Sequence, residues 1–209
     1  MLIRKEKTSE GGLIGIWRMN ESKDELLSLF SEPLRSEVEE YIKEIGSHRR
    51  TIELLSTRIM LLEILGEEKN IYYREDGKPY LDDKSYHISI SHTKDYAAIF
   101  LHNTLSVGID IETRSERVRK IANRFISEKE YIDPTQKSVH QLLHWSTKES
   151  LFKLMNEQGV DFKKHLHLAP FTPVEKGILK AWETKTKKSH TFNVNYEVHP
   201  EYVLTWVVG

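Results

Sequence analysis

The sequence contains no cysteine and has almost no net charge. Without cysteine, disulfide bonds, thiolate metal sites and cysteine nucleophiles are all excluded. The 31 Lys and Arg residues nearly balance the 32 Asp and Glu residues, so the overall basic character that favours nucleic-acid binding is missing. No apolar run approaches the ~20 residues of a membrane span, and the N-terminus shows no signal-peptide pattern. We therefore expect a soluble, cytoplasmic protein that binds neither nucleic acid nor a membrane.

The 209 residues, of which 38% are hydrophobic, suffice for one large domain or two small ones. Periodicity and turn residues predict an opening hairpin and then helices beginning at Ser22, Ser31 and Ser47, followed by strands over 86–91 and 96–101. The same order then recurs, with a strand over 105–112, a helix over 137–156, and strands over 178–184, 191–198 and 202–208. This pattern predicts an α+β protein of two similar halves, residues 1–104 and 105–209, with mostly antiparallel sheets and helices packed on them.

Two carboxylates lie two residues apart on the predicted strand LSVGIDIE. Asp110 and Glu112 therefore project from the same face of that strand. Two carboxylates without partners repel each other at this spacing, and a hard divalent cation such as Mg²⁺ relieves the repulsion. An edge strand that presents two acids to water gives the same pattern, so spacing alone leaves both interpretations open.

A second group of residues follows one face of the helix predicted over 137–156. Trp145, Glu149 and Lys153 are spaced i, i+4 and i+8 and form one stripe, with Lys148 beside the same groove. Such a stripe can supply a packing anchor, a third metal ligand and a cation for phosphate. An ordinary Glu–Lys helix pair beside a core tryptophan fits the spacing equally well.

Weaker signals lie elsewhere in the chain. Ser91 and His92, at a strand end, could donate hydrogen bonds to an anion, and His92 would do so best as an imidazolium. Arg49 lies at the start of a helix, where a cation opposes the helix dipole and indicates an acidic group nearby. His140 and His144 are spaced like metal ligands but lack a third ligand, so we interpret them as part of a solvated face.

Several motifs follow one another in a fixed order, namely His48-Arg49, Gly77-Lys78-Pro79, Ser89-Ile90-Ser91-His92, Gly108-Ile109-Asp110-Ile111-Glu112, Arg124-Phe125 and Trp145-x-x-Lys148-Glu149-Ser150-x-x-Lys153. This series resembles the 4′-phosphopantetheinyl transferases, specifically their longer, surfactin-synthetase-activating type. GIDIE followed by WxxKES is the specific part of the resemblance. Family members usually have a glycine-and-lysine turn after the last lysine, and here Met155-Asn156-Glu157-Gln158-Gly159 takes its place without a lysine.

The resemblance implies a monomer of two α/β halves related by pseudo-twofold symmetry, with coenzyme A in the cleft between them. It implies transfer of the 4′-phosphopantetheine arm of coenzyme A to a serine of an acyl or peptidyl carrier protein, with release of adenosine 3′,5′-bisphosphate. It also implies that Mg²⁺ is held by Asp110, Glu112 and Glu149. Glu149 would in addition help to deprotonate the serine, while Lys153 and His92 would contact the pyrophosphate.

The remaining contacts to coenzyme A are implied by the same resemblance. Arg49 would meet the 3′-phosphate, Lys78 would lie beside the adenine with Pro79 in the same turn, and Ser91 and Lys148 would line the cleft. Two other functions stay open: a catalytically silent relative that binds coenzyme A or a carrier protein as an interaction module, and a different Mg²⁺-dependent enzyme acting on a nucleotide pyrophosphate.

The segment after the acidic strand is rich in basic residues, namely Arg114, Arg117, Arg119, Lys120 and Arg124. Carrier proteins are typically acidic, and a basic surface speeds encounter with an acidic partner. The segment is therefore predicted to dock the carrier, with a solvated helix face as the alternative.

Overall fold

The computed structural model describes residues 1–209. Its strands form a four-stranded, a five-stranded and a two-stranded sheet, and every pair of neighbouring strands is antiparallel. Helices pack against the two larger sheets, so the predicted α+β class is confirmed. None of the helices combines the length and hydrophobicity needed to cross a membrane.

The four-stranded sheet, called here the N-terminal sheet, is built from the first part of the chain. The elements of this part are β1 (Leu2–Lys7), β2 (Leu13–Arg18), α1 (Lys23–Leu27), α2 (Glu32–Lys43), α3 (His48–Leu65), β3 (Ile71–Tyr73), β4 (Pro79–Leu81), β5 (His87–His92) and β6 (Tyr96–His102). The sheet order is β1-β2-β6-β5. Helix α3 begins where the Ser47 side chain accepts a hydrogen bond from Arg50 N and ends at Gly66, which has a φ of 72°. Its apolar face, including Leu55 and Ile59, packs on the sheet.

The five-stranded sheet, called here the C-terminal sheet, follows. The elements of this part are β7 (Val107–Thr113), α4 (Arg117–Ile121), α5 (Lys137–Met155), α6 (Phe162–His165), β8 (Leu166–Leu168), β9 (Lys176–Glu183), β10 (Thr191–Val198) and β11 (Tyr202–Val208). The sheet order is β7-β11-β10-β9-β8. Helix α5 lies across β7 and β11, and its Leu143 and Leu151 lie in one core cluster with Val203 and Val207 of β11.

The long elements match the sequence pattern, and the short ones are new. The three-residue strands β3, β4 and β8 and the four-residue helix α6 were not predicted from the sequence. A segment of three or four residues is too short for its apolar periodicity to be recognised. The domain boundary between residues 104 and 105 and the pseudo-twofold relation of the halves stay predictions.

The two larger sheets meet edge to edge and share an apolar core. This core is formed by side chains of β2, β6, β7 and β11, among them Ile16, Phe100, Ile109 and Leu204. Strand β5 runs beside β7, but serine hydroxyls take the place of a backbone ladder there. Ser89 Oγ accepts a hydrogen bond from Ile109 N at 3.1 Å, and Ser91 Oγ accepts one from Ile111 N at 3.3 Å. The seam between the sheets therefore places β5 side chains directly against β7.

Gly108 allows α5 to lie directly on β7. A Cβ atom at this position would be 2.0 Å from Ser150 O and 3.0 Å from Ser150 C, both in the backbone of α5. Real side chains do not approach backbone this closely, so any larger residue must push the helix away from the strand. The glycine of the GIDIE motif thus sets the distance between the helix and the acidic strand.

We expect Gly108→Ala to lower the free energy of unfolding by about 1–3 kcal/mol, because the added methyl group overpacks the contact between helix and strand. Urea denaturation measures this change. Gly46→Ala is the matched control, since a Cβ at Gly46 would meet no atom within 4 Å. Equal stability of the two variants would show that α5 does not depend on Gly108.

Candidate active site

Asp110 lies where β5, β7 and α5 meet. Its side chain is buried, and Oδ1 accepts hydrogen bonds from Ser91 Oγ at 2.8 Å and from Lys153 Nζ at 2.9 Å. The Lys153 ammonium also donates to Ile109 O at 3.0 Å. One carboxylate thus joins a strand of the N-terminal sheet, a strand of the C-terminal sheet and helix α5.

The second oxygen of this carboxylate has no partner. Asp110 Oδ2 is buried and makes no hydrogen bond. A buried polar atom left unpaired costs about 1–3 kcal/mol, or more when it is charged, so native proteins rarely keep one without a functional reason. The alternative in which the strand presents Asp110 to water is therefore wrong. The unpartnered carboxylate oxygen of Asp110 is suited to bind a cation.

Two more carboxylates lie beside Asp110. Glu112 accepts a hydrogen bond from Trp145 Nε1 at 2.7 Å, which fixes its orientation. Burial, together with the charge of Asp110, raises the pKa of Glu112 to about 7. Burial and the same charge raise the pKa of Glu149 to about 7. The three acids thus repel one another in a poorly solvated place, and a divalent cation would relieve that repulsion.

The three carboxylates do not form a closed metal cage. No group of three or more His, Cys, Asp or Glu side chains is arranged closely enough to hold an ion as it stands. Mg²⁺ does not require such a cage, because it usually takes one or two protein carboxylates and completes its shell with water and substrate phosphates. The all-oxygen donor set and the unpartnered Asp110 Oδ2 therefore fit Mg²⁺ bound together with a phosphorylated ligand.

Two cavities adjoin the acidic cluster. The first, called here the Lys78 cavity, has a volume of about 520 Å³ and is lined by Lys78, Pro79 and Lys153, among others. The residues 156–159 that follow α5 close one side of it. The second, called here the Arg49 cavity, measures about 550 Å³ and is lined by Arg49, His92, Glu112 and Trp145, among others. Of the residues predicted to bind coenzyme A, Lys78, Pro79 and Lys153 line the Lys78 cavity, and Arg49 and His92 line the Arg49 cavity.

Ser91 and His92 play different parts at the end of β5. The Ser91 side chain is buried and its hydroxyl is committed to Asp110 and Ile111 N, so it positions the acid. Burial lowers the pKa of His92 to about 4, and the nearby Arg50, Lys153 and Arg49 act in the same direction. His92 is therefore a neutral imidazole at pH 7, which can still donate one N–H to an anion.

Lys148 is not in the cleft, so its assignment to coenzyme A is corrected. Its side chain is fully buried, and Nζ donates to Phe125 O at 2.6 Å, Glu130 Oε2 at 2.8 Å and Phe162 O at 3.2 Å. Burial alone would raise the pKa of Glu130, but the neighbouring His144 and Lys148 lower it to about 2. Lys148 thus ties α5 to the loop that carries Glu130 and has no free donor for a ligand.

His140 and His144 are also buried, which corrects their interpretation as a solvated face. His140 is 0% and His144 is 1% exposed, and their ring centroids lie 5.1 Å apart. His140 Nδ1 accepts a hydrogen bond from Asp133 N at 2.9 Å, and the Phe171 ring packs against both histidines. They are core residues of the C-terminal part.

Sequence reasoning missed three residues that organise the site. Ser89 bonds the acidic strand from the N-terminal sheet, Glu130 holds Lys148, and Glu53 binds Arg49 Nε at 2.9 Å. Glu53 is the acidic group that the basic start of α3 indicated, and its i+4 spacing from Arg49 could have identified it. The partners of Ser89 and Glu130 are distant in sequence, so no local pattern indicates them.

Comparison with known proteins gives the class of this site. Residues 106–207 match the family model of the 4′-phosphopantetheinyl transferase superfamily. This segment contains the acids Asp110, Glu112 and Glu149 and the base Lys153. The match over this segment confirms the resemblance drawn from the motifs.

A curated relative names the same class of enzyme. The 4′-phosphopantetheinyl transferase gsp of Aneurinibacillus migulanus is 32% identical over 125 residues, which cover 56% of this chain and 52% of that protein. The match thus spans about half the length of that relative. Both comparisons name a phosphopantetheinyl transferase.

We expect Lys148→Met to lower the free energy of unfolding by about 3–5 kcal/mol, because it leaves the buried Glu130 carboxylate without its partner. Chemical denaturation measures the loss. Lys137→Met is the control, since Lys137 is exposed on the same helix. If the Lys148→Met protein has normal stability but binds coenzyme A weakly, Lys148 contacts coenzyme A and this correction is wrong.

Proposed function

We propose that the protein transfers the 4′-phosphopantetheine arm of coenzyme A to a serine of an acyl or peptidyl carrier protein, in a Mg²⁺-dependent reaction that releases adenosine 3′,5′-bisphosphate. The observation that carries the proposal is Asp110, a buried carboxylate with one unpartnered oxygen that lies beside two further acids and binds Lys153, a residue that lines the Lys78 cavity. The superfamily match and the name of the relative support the same reaction.

Asp110, Glu112 and Glu149 are the residues that would hold the metal. Bound Mg²⁺ would neutralise charge on the pyrophosphate of coenzyme A. The protein prepares this role by placing the acids on two rigid elements, β7 and α5, and by fixing Asp110 with Ser91 and Glu112 with Trp145. Such supporting hydrogen bonds keep ligand side chains in one orientation.

The reaction itself needs little covalent chemistry from the protein. The serine oxygen forms a bond to the phosphorus that carries the pantetheine arm, and the bond from that phosphorus to the bridging oxygen breaks. The serine proton passes to Glu149, and the electron pair leaves with the adenosine bisphosphate. Phosphoryl transfer of this kind depends on positioning and charge neutralisation.

The remaining polar groups offset charge on the phosphates. The Lys153 side chain is 26% exposed, and its ammonium lies between the acidic cluster and the Lys78 cavity, where it can meet a pyrophosphate oxygen. His92 lines the Arg49 cavity and, as a neutral imidazole, donates one N–H. Each such donor to a developing charge contributes to stabilisation of the transition state.

Coenzyme A would occupy both cavities. Arg49, whose side chain is 63% exposed, would bind the 3′-phosphate, and Lys78 and Pro79 would lie beside the adenine. The acids, the lysine and both cavities are contributed by a single chain, so we propose that a monomer is sufficient for activity.

Intact-mass spectrometry of an apo-carrier protein tests the proposed function. The carrier would be incubated with this protein, coenzyme A and Mg²⁺, with an EDTA control and several carrier types. We expect a gain of one phosphopantetheine mass that EDTA prevents. Binding of coenzyme A without any mass gain would favour the silent relative, and consumption of coenzyme A without a carrier would favour a different pyrophosphate enzyme.

We expect Asp110→Asn and Glu149→Gln each to reduce transfer by at least about a hundredfold, because each removes a charge from the reacting site. Both replacements keep the shape of the side chain, so the thermal midpoint should change little. Glu63→Gln on α3 is the control, as Glu63 is exposed and remote from the cleft. Near-normal transfer by Asp110→Asn would contradict the metal assignment.

The basic segment after β7 is our proposed docking surface for the carrier. Arg117 lines the Arg49 cavity, and Arg119 and Lys120 are exposed on the same short helix, α4. A carrier bound here would present its serine close to Glu112 and Trp145, which line the same cavity. The position of Arg117 at the cavity, with Arg119 and Lys120 on the same helix, is what supports docking over a merely solvated face.

We expect the double variant Arg119→Glu and Lys120→Glu to raise the KM for the carrier about tenfold, because charge reversal slows encounter with an acidic partner. The KM for coenzyme A should stay unchanged, since neither residue lines a cavity. Lys187→Glu with Lys188→Glu, an equal charge change in the hairpin between β9 and β10, is the control. An unchanged carrier KM would show that the carrier docks elsewhere.

A further inference from the structure

Glu53 is a buried carboxylate that accepts hydrogen bonds from two arginines beside the Arg49 cavity. Its side chain is 11% exposed, and Oε1 accepts a hydrogen bond from Arg49 Nε at 2.9 Å. Oε2 accepts one from Arg50 Nη1 at 3.3 Å and lies 3.9 Å from His92 Nδ1. Three side chains that could bind an anion are therefore arranged around a single internal acid.

The start of α3 concentrates positive charge. Its first turn contains His48, Arg49 and Arg50 and no acidic residue, and the helix dipole adds a further partial positive charge there. Basic residues at this end destabilise a helix unless an anion is near. Glu53, one turn further along α3, supplies part of the required negative charge, and a ligand phosphate can supply the rest.

The contact to Arg49 leaves the arginine free to bind a ligand. Glu53 holds only Nε, and the two terminal amino groups of Arg49 make no hydrogen bond. A guanidinium anchored through Nε presents its outer amino groups as a fork, which suits two oxygen atoms of a phosphate. Because Arg49 is largely exposed, such an anchor restricts a side chain that would otherwise sample many rotamers.

We propose that Glu53 is a positioning residue that fixes Arg49 for the 3′-phosphate of coenzyme A and thereby sets the preference for coenzyme A over the form that lacks this phosphate. The inference rests on the proposed function, since it deepens the role given there to Arg49. Glu53 itself touches no ligand and acts through the arginine.

The direction in which Glu53→Gln changes the affinity for an anion distinguishes positioning of Arg49 from a simple electrostatic effect of the Glu53 charge. Removing the Glu53 charge makes the cavity more positive, which by itself would tighten binding of an anion. Loss of positioning weakens it, because the arginine must then be ordered when the ligand binds. A weaker interaction after Glu53→Gln is therefore the result that only positioning explains.

Calorimetric titration with adenosine 3′,5′-bisphosphate and with adenosine 5′-phosphate provides the test. We expect Glu53→Gln and Arg49→Ala each to weaken binding of the bisphosphate on the order of tenfold, the equivalent of one charged hydrogen bond, with little change for the monophosphate. In the Arg49→Ala background, Glu53→Gln should no longer weaken binding, because no arginine remains for Glu53 to position. Glu63→Gln, an exposed position on the same helix, is the control.

Steady-state kinetics add a second readout. Glu53→Gln should raise the KM for coenzyme A and leave both kcat and the KM for dephospho-coenzyme A unchanged. Unchanged or tighter binding of the bisphosphate by Glu53→Gln, or full additivity with Arg49→Ala, would overturn the inference. Wild-type affinity in Arg49→Ala would instead refute the role of Arg49 in the proposed function.

Discussion

The candidate site depends on the hydrogen bond between Ser91 and Asp110 across the seam of the two large sheets. Ser91 belongs to the N-terminal sheet and Asp110 to the C-terminal sheet, and the Ser91 hydroxyl also accepts from Ile111 N. Lys153 from α5 completes the arrangement. A change in how the sheets meet would therefore move Ser91 away from Asp110. The geometry of the site thus depends directly on the packing of the two sheets.

The same seam explains why the acids are held in an unfavourable state. Asp110 is buried with an unpartnered oxygen, and burial together with its charge raises the pKa of both Glu112 and Glu149. Folded proteins keep such groups where a ligand compensates them. An apolar core shared by the two sheets lies beside the site, and Gly108 allows α5 to approach the acidic strand.

Much of this arrangement is readable from the sequence, because it rests on local periodicity. The alternating strand with Asp110 and Glu112 and the stripe of Trp145, Glu149 and Lys153 each follow from spacing within one element. Lys148 could not be assigned in this way, since its burial depends on Glu130 in a separate loop. The hydrogen bonds of Ser89 and Ser91 across the seam could not be predicted either. They take the place of the backbone hydrogen bonds that a strand pattern predicts between neighbouring strands.

We propose that the acidic cluster at the seam binds Mg²⁺ together with coenzyme A. The crystal structure of the protein with both ligands tests it most directly. We expect a metal ion against Asp110 Oδ2, the pyrophosphate at Lys153 and coenzyme A in both the Lys78 and the Arg49 cavities. Coenzyme A bound away from the seam, with Asp110 still paired only with Ser91 and Lys153, would contradict it.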